Sequence, residues 1–289
     1  MLSELASLLW LPFLACLTLT FIHGYLGLHV IAREVIFVDI ALAQVAALGT
    51  TAALLFGSDL ESTMAYGMSL GFTLVGAAIL ACTRTRERHV SQEAVIGVVY
   101  AVSAAAAILL VDRAPHGVEH IKTILVGSLL TVTLAQVVKT ALLYAAVGLF
   151  HWWVRGPFVL ISTAPDEAQR RGLAVRWWDF LFYASFGVVV TSSVRIAGVL
   201  LVFAYLIVPG LAGMAWGAPW RARLLFGWSL AAGVSLAGIL ISAYVDLPTG
   251  ATIVCVFGLA LVVVWMVAAW RRVATGRIKR FSLMIRSLS

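Results

Sequence analysis

The chain has 289 residues, of which 62% are hydrophobic and only 11% are charged, and its mean hydropathy is +1.03. Soluble domains carry about 25% charged residues, so this composition excludes an ordinary soluble domain and predicts several membrane helices of about 20 residues each. The three cysteines lie far apart in apolar runs, which excludes a disulfide framework and a C-x-x-C metal knuckle.

Apolar runs separated by short polar breaks predict nine transmembrane helices. The first run has no lysine or arginine before it, which favours a membrane helix over a cleaved signal peptide. The predicted helices lie near residues 5–28, 36–56, 62–82, 93–111, 123–150, 177–193, 196–216, 224–244 and 250–270. We therefore expect an all-α polytopic bundle, with one transmembrane domain over residues 1–270 and a basic tail over residues 271–289.

The basic residues are distributed unevenly between the two sides of this predicted bundle. Alternate breaks and the tail hold 16 of the 20 lysines and arginines. Cytoplasmic loops carry an excess of these residues, so the pattern predicts an outer N-terminus and a cytoplasmic C-terminus. The net charge of +7 is thereby explained by topology, and nucleic-acid binding is not expected.

Two polar side chains interrupt the second predicted helix, in the stretch "FVDIALAQVAALG". An acidic group near the middle of a bilayer costs about 2.5–3.5 kcal/mol on insertion scales. Asp39 and Gln44 are therefore candidates for a substrate pathway, together with His23 in the first helix. A salt bridge from Asp39 to Arg33, and a hydrogen bond from His23 to a neighbouring helix, are the structural alternatives.

One short pattern is typical of metal chemistry. The stretch "HGVEH" fits H-x-x-E-H, in which His116 and His120 would share a helix face beside Glu119. Pro115 and Gly117 place it beside a turn in an outer break. A zinc peptidase, an external metal-capturing site and ordinary loop polarity all remain open. No G-x-x-x-x-G-K-[ST] motif is present, so ATP binding by a P-loop is excluded.

Six stretches, taken together in this order and spacing, resemble the membrane permease of bacterial ABC importers for zinc, manganese and iron. The resemblance covers roughly residues 10–270, and its most specific parts are "IAGVLLVFAYLIVPGLAG" and "DLPTGATIV". The six stretches begin at residues 27, 91, 124, 166, 194 and 244.

The resemblance implies a transporter subunit in the bacterial inner membrane that performs no covalent chemistry and binds no cofactor. It implies a homodimer in membrane lipid, two cytoplasmic ATPase subunits and an external protein that delivers the substrate. The metal would be the transported substrate, moved by alternating access. A secondary metal transporter is the main rival, and it is disfavoured because the two halves show no matched pair of interrupted helices.

The cytoplasmic segment over about 155–176 contains a second recognisable pattern. Asp166 and Glu167 are placed to begin a short helix, and Gly172 is placed to end it. In the resembled family this segment, which here also contains Arg170, is the coupling helix that docks onto the ATPase. A solvated loop is the alternative.

The expected metal pair of the resembled family is altered in this chain. Family members usually carry Asp and, four residues later, His in the second helix, and aligned through Gly49 these places fall on Ile40 and Gln44. Aligned through Asp39 instead, the His place falls on Ala43, so neither alignment restores the pair. An amide is also a poor ligand for a metal such as zinc. The substrate could therefore be a metal ion or a chelated metal.

Overall fold

The computed structural model describes residues 2–59, 62–84, 91–112, 127–216 and 219–286, with side chains from residue 8 to residue 274. Every regular element in these ranges is helical, which confirms the predicted all-α fold. The α-helices are α1 (Leu2–Ala32), α2 (Val38–Leu54), α3 (Thr63–Cys82), α4 (Gln92–Val111), α5 (Leu134–Trp153), α6 (Arg155–Thr163), α7 (Pro165–Arg170), α8 (Val175–Ala215), α9 (Trp220–Val245) and α10 (Thr249–Arg286).

Seven of these helices are long and apolar enough to cross a membrane, and α2 is a shorter apolar helix of 17 residues. Their buried faces form a continuous apolar core around α8. Faces of α4, α5 and α10 are mostly unburied within the single chain. Large apolar side chains such as Leu109, Leu142 and Trp270 are exposed there, as expected of helices solvated by lipid.

The 41-residue helix α8 is two helices joined at Gly198, where φ is 76° and ψ is 160°. The His29 ring contacts Phe182 near the beginning of α8 and also contacts Trp220, just beyond its end, at centroid distances of 5.8 Å and 5.2 Å. A straight helix would separate residues 182 and 215 by about 50 Å. The chain therefore reverses at Gly198, and α8 is a helical hairpin.

Contacts with α1 give the directions of the two halves of α8. The first half is antiparallel to α1, because Asp179 contacts Arg33 whereas Ser193 contacts His23. The second half is parallel to α1, because Gly27 packs on Leu206 and Gly210 packs on residues 28 and 31. The hairpin matches the predicted pair of helices near 177–193 and 196–216.

Basic side chains gather at one end of this bundle, which we call the basic end. Arg33 and Arg84 share the carboxylate of Asp179 there. The Arg271 guanidinium lies 4.6 Å from the Trp216 ring centroid, and Arg272 donates to the Ala215 carbonyl. These contacts place the ends of α1, α3 and α8 and the basic residues 271–272 within α10 at the same end, in agreement with the charge pattern.

The predicted helix near 123–150 begins later than expected. Residues 127–133 contain only a 3₁₀ turn at Leu129–Thr131, and residues 123–126 lie outside the described ranges. Helix α5 begins after Thr133, whose side chain accepts from the Gln136 backbone while the Gln136 side chain accepts from the Thr133 backbone. This reciprocal capping box sets the beginning of the helix, and its T-x-x-Q pattern was visible in the sequence.

Candidate functional site

Asp39 is fully buried in the first turn of α2. Neither of its carboxylate oxygens has a hydrogen-bond partner. Leu42 and Ala43 on the same helix are also fully buried, so the carboxylate lies on the packed face of α2. A buried polar group without a partner costs stability, and in membrane helices such groups mark functional positions by default.

Gln44 lies on a different face of α2 from Asp39. The two positions are about 140° apart around a helix, and Gln44 is half-buried where Asp39 is fully buried. Ile40, Gln44 and Leu48 form a half-buried stripe at a spacing of four residues. The structure therefore does not bring Asp39 and Gln44 together, and Gln44 lies on the more open stripe of the helix.

His23 is fully buried and hydrogen-bonded through both ring nitrogens. Its Nδ1 lies 2.9 Å from the Leu19 carbonyl, which can only accept, so Nδ1 carries the proton. Its Nε2 lies 3.2 Å from the Ser193 hydroxyl oxygen, which also donates to the Val189 carbonyl at 2.7 Å. The Ser193 oxygen in turn bonds the Tyr144 hydroxyl. This network agrees with the structural alternative for His23, a hydrogen bond to a neighbouring helix. A role for His23 in the pathway remains a prediction.

The candidate ligands His116, Glu119 and His120 lie outside the described residues. Within the ranges that are described, no three His, Cys, Asp or Glu side chains come together in a group that could hold a metal ion. The metal role of "HGVEH" therefore remains a prediction, and so do its alternatives.

The most concentrated charges lie at the basic end, around Asp179, a residue for which the sequence predicted no role. Asp179, near the beginning of α8, is fully buried and receives a hydrogen bond from Arg33 at 2.7 Å and another from Arg84. The Arg33 side chain is only 1% exposed, and its guanidinium carbon lies 4.0 Å from the Phe182 ring centroid. The structural alternative for Asp39, a salt bridge to Arg33, is not observed, because Arg33 pairs with Asp179 instead.

The turn between α1 and α2 explains why Arg33 reaches α8. Helix α1 ends at Ala32, and Glu34 adopts a left-handed conformation with φ of 58°. The backbone N–H of Ile36 then donates to the Glu93 carboxylate at the beginning of α4. The chain therefore turns between residues 33 and 37, and the spacing from Arg33 to Asp39 does not place them on one helical face.

Arg33 also connects this charge cluster to α6. Its Nε donates to the Ser162 hydroxyl at 2.8 Å, and Nδ1 of His29 lies 2.9 Å from the same oxygen. Ser162 donates its own proton to the Phe158 carbonyl at 2.7 Å. One hydroxyl thereby joins α1 and α6, while Asp179 joins α1, α3 and α8.

Helix α7 follows α6 after a single residue, Ala164, and presents its polar side chains to the surface. Asp166 and Glu167 lie in its first turn, as predicted. Hydrogen bonds from Arg171 and then from Arg170 lower the pKa of the Glu167 carboxyl group, so it remains charged at neutral pH.

Gly172 ends α7 in the predicted way. Its φ is 75°, its N–H bonds the Gln169 carbonyl at 2.9 Å, and the Leu173 N–H bonds the Ala168 carbonyl at 3.1 Å. These two bonds form a Schellman motif, which favours glycine at the left-handed position. Ala168 is fully buried, and α7 packs mainly on the adjacent helix α6, so its exposed face is held in a defined orientation relative to α6.

The family model described as the ABC 3 transport family matches residues 7–268. This match covers nearly the whole chain. The chain belongs to the ABC 3 transport family. The resemblance found in the sequence is thereby confirmed, and the ABC 3 assignment accounts for the multi-pass, all-helical architecture.

Two curated relatives and one solved structure are similar to this ABC 3 chain. A probable metal transport system membrane protein of Thermotoga maritima is 25% identical over 256 residues, 86% of each chain. The chelated iron transport system membrane protein YfeD of Yersinia pestis is 26% identical over 175 residues, and this chain spans 59% of its length. PsaBC of Streptococcus pneumoniae, solved with a Fab, matches with a TM-score of 0.76 at 19% identity, over 92% of this chain and 95% of that chain.

Proposed function

We propose that this chain is the permease subunit of an ATP-driven importer that moves a metal ion or a metal chelate across a bacterial inner membrane. The observation that carries the proposal is the ABC 3 match over residues 7–268. The names of the two relatives support a metal or chelated metal as substrate. Zinc, manganese and iron are the metals to test.

The proposed assembly contains two copies of this chain, two cytoplasmic ATPase subunits and an external substrate-binding protein. ATP hydrolysis takes place on the ATPase subunits, because this sequence contains no P-loop motif. The exposed helix α7, with Asp166, Glu167, Arg170 and Gly172 in or beside it, is the proposed docking element for the ATPase. A short helix that packs on α6 suits docking, because it moves together with α6.

The proposed substrate pathway follows α2. Gln44 lies on the half-buried stripe of this helix, and Asp39 is the buried acid near its beginning. In alternating access, the conformation that opens toward the basic end would expose Asp39 to a cationic substrate. Asp39 and Gln44 lie on different faces of α2, and neither an amide nor a single carboxylate holds a bare transition metal well. Hydrogen bonding to a chelate is therefore the more favoured form of recognition.

Copurification tests the function at the level of the assembly. A tagged chain, expressed together with the ATPase and the binding protein encoded beside it, should retain the ATPase in detergent. Metal uptake by cells that carry the three proteins should require an intact P-loop lysine in that ATPase. Uptake that persists after this lysine is replaced would favour the secondary-transporter alternative instead.

We further propose that the basic end faces the cytoplasm, following the positive-inside rule. Single cysteines are placed at Asp59, which is exposed at the opposite end, and at Asp166 on α7, in a background that lacks the three native cysteines. A membrane-impermeant thiol reagent should label position 59 from outside the cell, and position 166 only after the membrane is opened. Labelling of both positions from the same side would contradict the orientation.

Changing α7 should weaken the stimulation of the ATPase by the permease. In the double variant Glu167→Arg and Gly172→Val, the acid that holds Arg170 and Arg171 is reversed and the left-handed position receives a β-branched residue. We expect this variant to insert normally and to lose about tenfold in stimulated ATPase activity. Both changes lie at the surface, so the core is unaffected.

The chain offers a matched control for this double variant. Gly57 also has a positive φ, of 74°, and no atom lies within 4 Å of the place that a Cβ would occupy. The exposed Asp59 lies two residues after it, at the end of the molecule opposite the basic end. Asp59→Arg with Gly57→Val should keep ATPase stimulation at the wild-type level. If ATPase stimulation is the same in the α7 double variant as in this control double variant, α7 is not the docking element.

A further inference from the structure

The Ser162 hydroxyl uses its full hydrogen-bonding capacity at the junction between the proposed docking segment and the membrane helices. It donates once, to Phe158, and accepts twice, from His29 and from Arg33. A serine hydroxyl has one proton to donate and two lone pairs with which to accept. Ser162 is 3% exposed, so water does not compete for these bonds.

Arg33 extends this junction to two further helices. Its side chain reaches Ser162 through Nε and Asp179 through Nη1, and Asp179 also holds Arg84, the second residue after the end of α3. A planar guanidinium can make both bonds at once with fixed relative directions. Contact with the Phe182 ring restricts its position further. The cluster therefore has a defined geometry, with one carboxylate held between two cations.

We propose that Ser162, Arg33 and Asp179 form a positioning link that transmits movement of the α6–α7 segment to α1, α3 and α8. This proposal rests on the proposed function, since it concerns how the ATPase drives the permease. Only Ala164 separates α6 from α7, and Phe158 and Ile161 pack α6 against the core. A force applied to α7 acts first on α6, then through Ser162 on Arg33, and from Arg33 on the carboxylate shared with α3.

The link differs from simple structural support in what its loss should do. A support holds the fold, so its removal lowers stability and all activities together. A link fixes the ratio between two activities, the number of substrate molecules moved for each ATP hydrolysed. The test is therefore that ratio, measured in proteoliposomes that contain the full complex of permease, ATPase and binding protein.

Two single variants remove the same bond from its two ends. Ser162→Ala removes the shared hydroxyl. Arg33→Lys keeps a positive charge for Asp179 but cannot also donate to Ser162 in the fork geometry of arginine. We expect each single variant to lower the transport-to-ATP ratio by about threefold. The double variant should not lower the ratio below that of the more impaired single variant, because the effects of two residues that share one bond are not additive.

The neighbouring residue Thr163 provides a matched control. Its hydroxyl also donates to the carbonyl four residues back, at 2.8 Å, but it is exposed. Thr163→Ala should leave the ratio unchanged. The proposal is overturned if both single variants keep the wild-type ratio, if their effects add in the double variant, or if Thr163→Ala lowers the ratio equally.

Failure of this proposal is distinguishable from failure of the proposed function. If the wild-type complex moves no substrate when ATP is supplied, the proposed function fails. If the wild-type complex transports and the variants keep its ratio, only the link fails. Should Ser162→Ala not assemble, Arg33→Lys alone decides, because its charge pair with Asp179 is kept.

Discussion

Asp39→Asn should lower substrate uptake by about tenfold or more while the protein remains at least as stable as wild type. Asparagine has nearly the shape of aspartate, and the Asp39 carboxylate has no hydrogen-bond partner to lose. Removing an unpaired, fully buried acid should not destabilise the fold. A loss of transport together with equal or higher stability is typical of a residue kept for function rather than for folding.

The measurement has two readouts: initial uptake rate in cells, and the thermal unfolding temperature of the purified protein. Asp59→Asn is the matched control, since it makes the same change at an exposed acid at the other end of the molecule. It should leave both readouts unchanged. Normal uptake by a well-folded Asp39→Asn protein would remove Asp39 from the pathway and leave Gln44 and the histidines as its polar candidates.

Asp179→Ala should destabilise the protein by about 3–5 kcal/mol, the cost of leaving a buried charge without its partner. Arg33 is 1% exposed and Arg84 is 23% exposed, so two cations would face each other with little access to water. Unfolding of the purified protein by a denaturing detergent measures the change. Asp59→Ala, at an exposed acid, should change stability by less than about 0.5 kcal/mol.

A second variant checks that the loss comes from the unpaired arginine. Adding Arg33→Gln to Asp179→Ala removes the buried charge that Asp179 neutralises, so the double variant should be more stable than Asp179→Ala alone. If the double variant instead shows the sum of the two single losses, the residues do not act as a pair. An Asp179→Ala protein as stable as wild type would likewise contradict the cluster.

Features specified by local sequence were predictable for this chain. Apolar runs gave the helices, including the two halves of α8, because a membrane helix must satisfy its backbone internally and cover itself with apolar side chains. The end of α7 at Gly172 was predictable because a left-handed position favours glycine. The beginning of α5 could have been predicted as well, from the capping box at Thr133 and Gln136.

Features that depend on tertiary contacts were not predictable in the same way. Arg33 and Asp179 are 146 positions apart, and Arg84 and Asp179 are 95 apart, so no spacing rule connects them. The local alternative, Arg33 with Asp39, failed because the chain turns at Glu34. Similarly, Ser162 belongs to a short stretch with no charge, and only the folded chain shows that its hydroxyl joins α6 to α1.

The most direct test of the proposed function is substrate uptake into proteoliposomes that contain this chain with its ATPase and binding protein. We expect uptake of zinc, manganese or iron, free or chelated, to require ATP and the binding protein together, and a nonhydrolysable ATP analogue should not support it. Uptake that proceeds at the same rate without ATP, driven by an ion gradient alone, would contradict an ATP-driven permease.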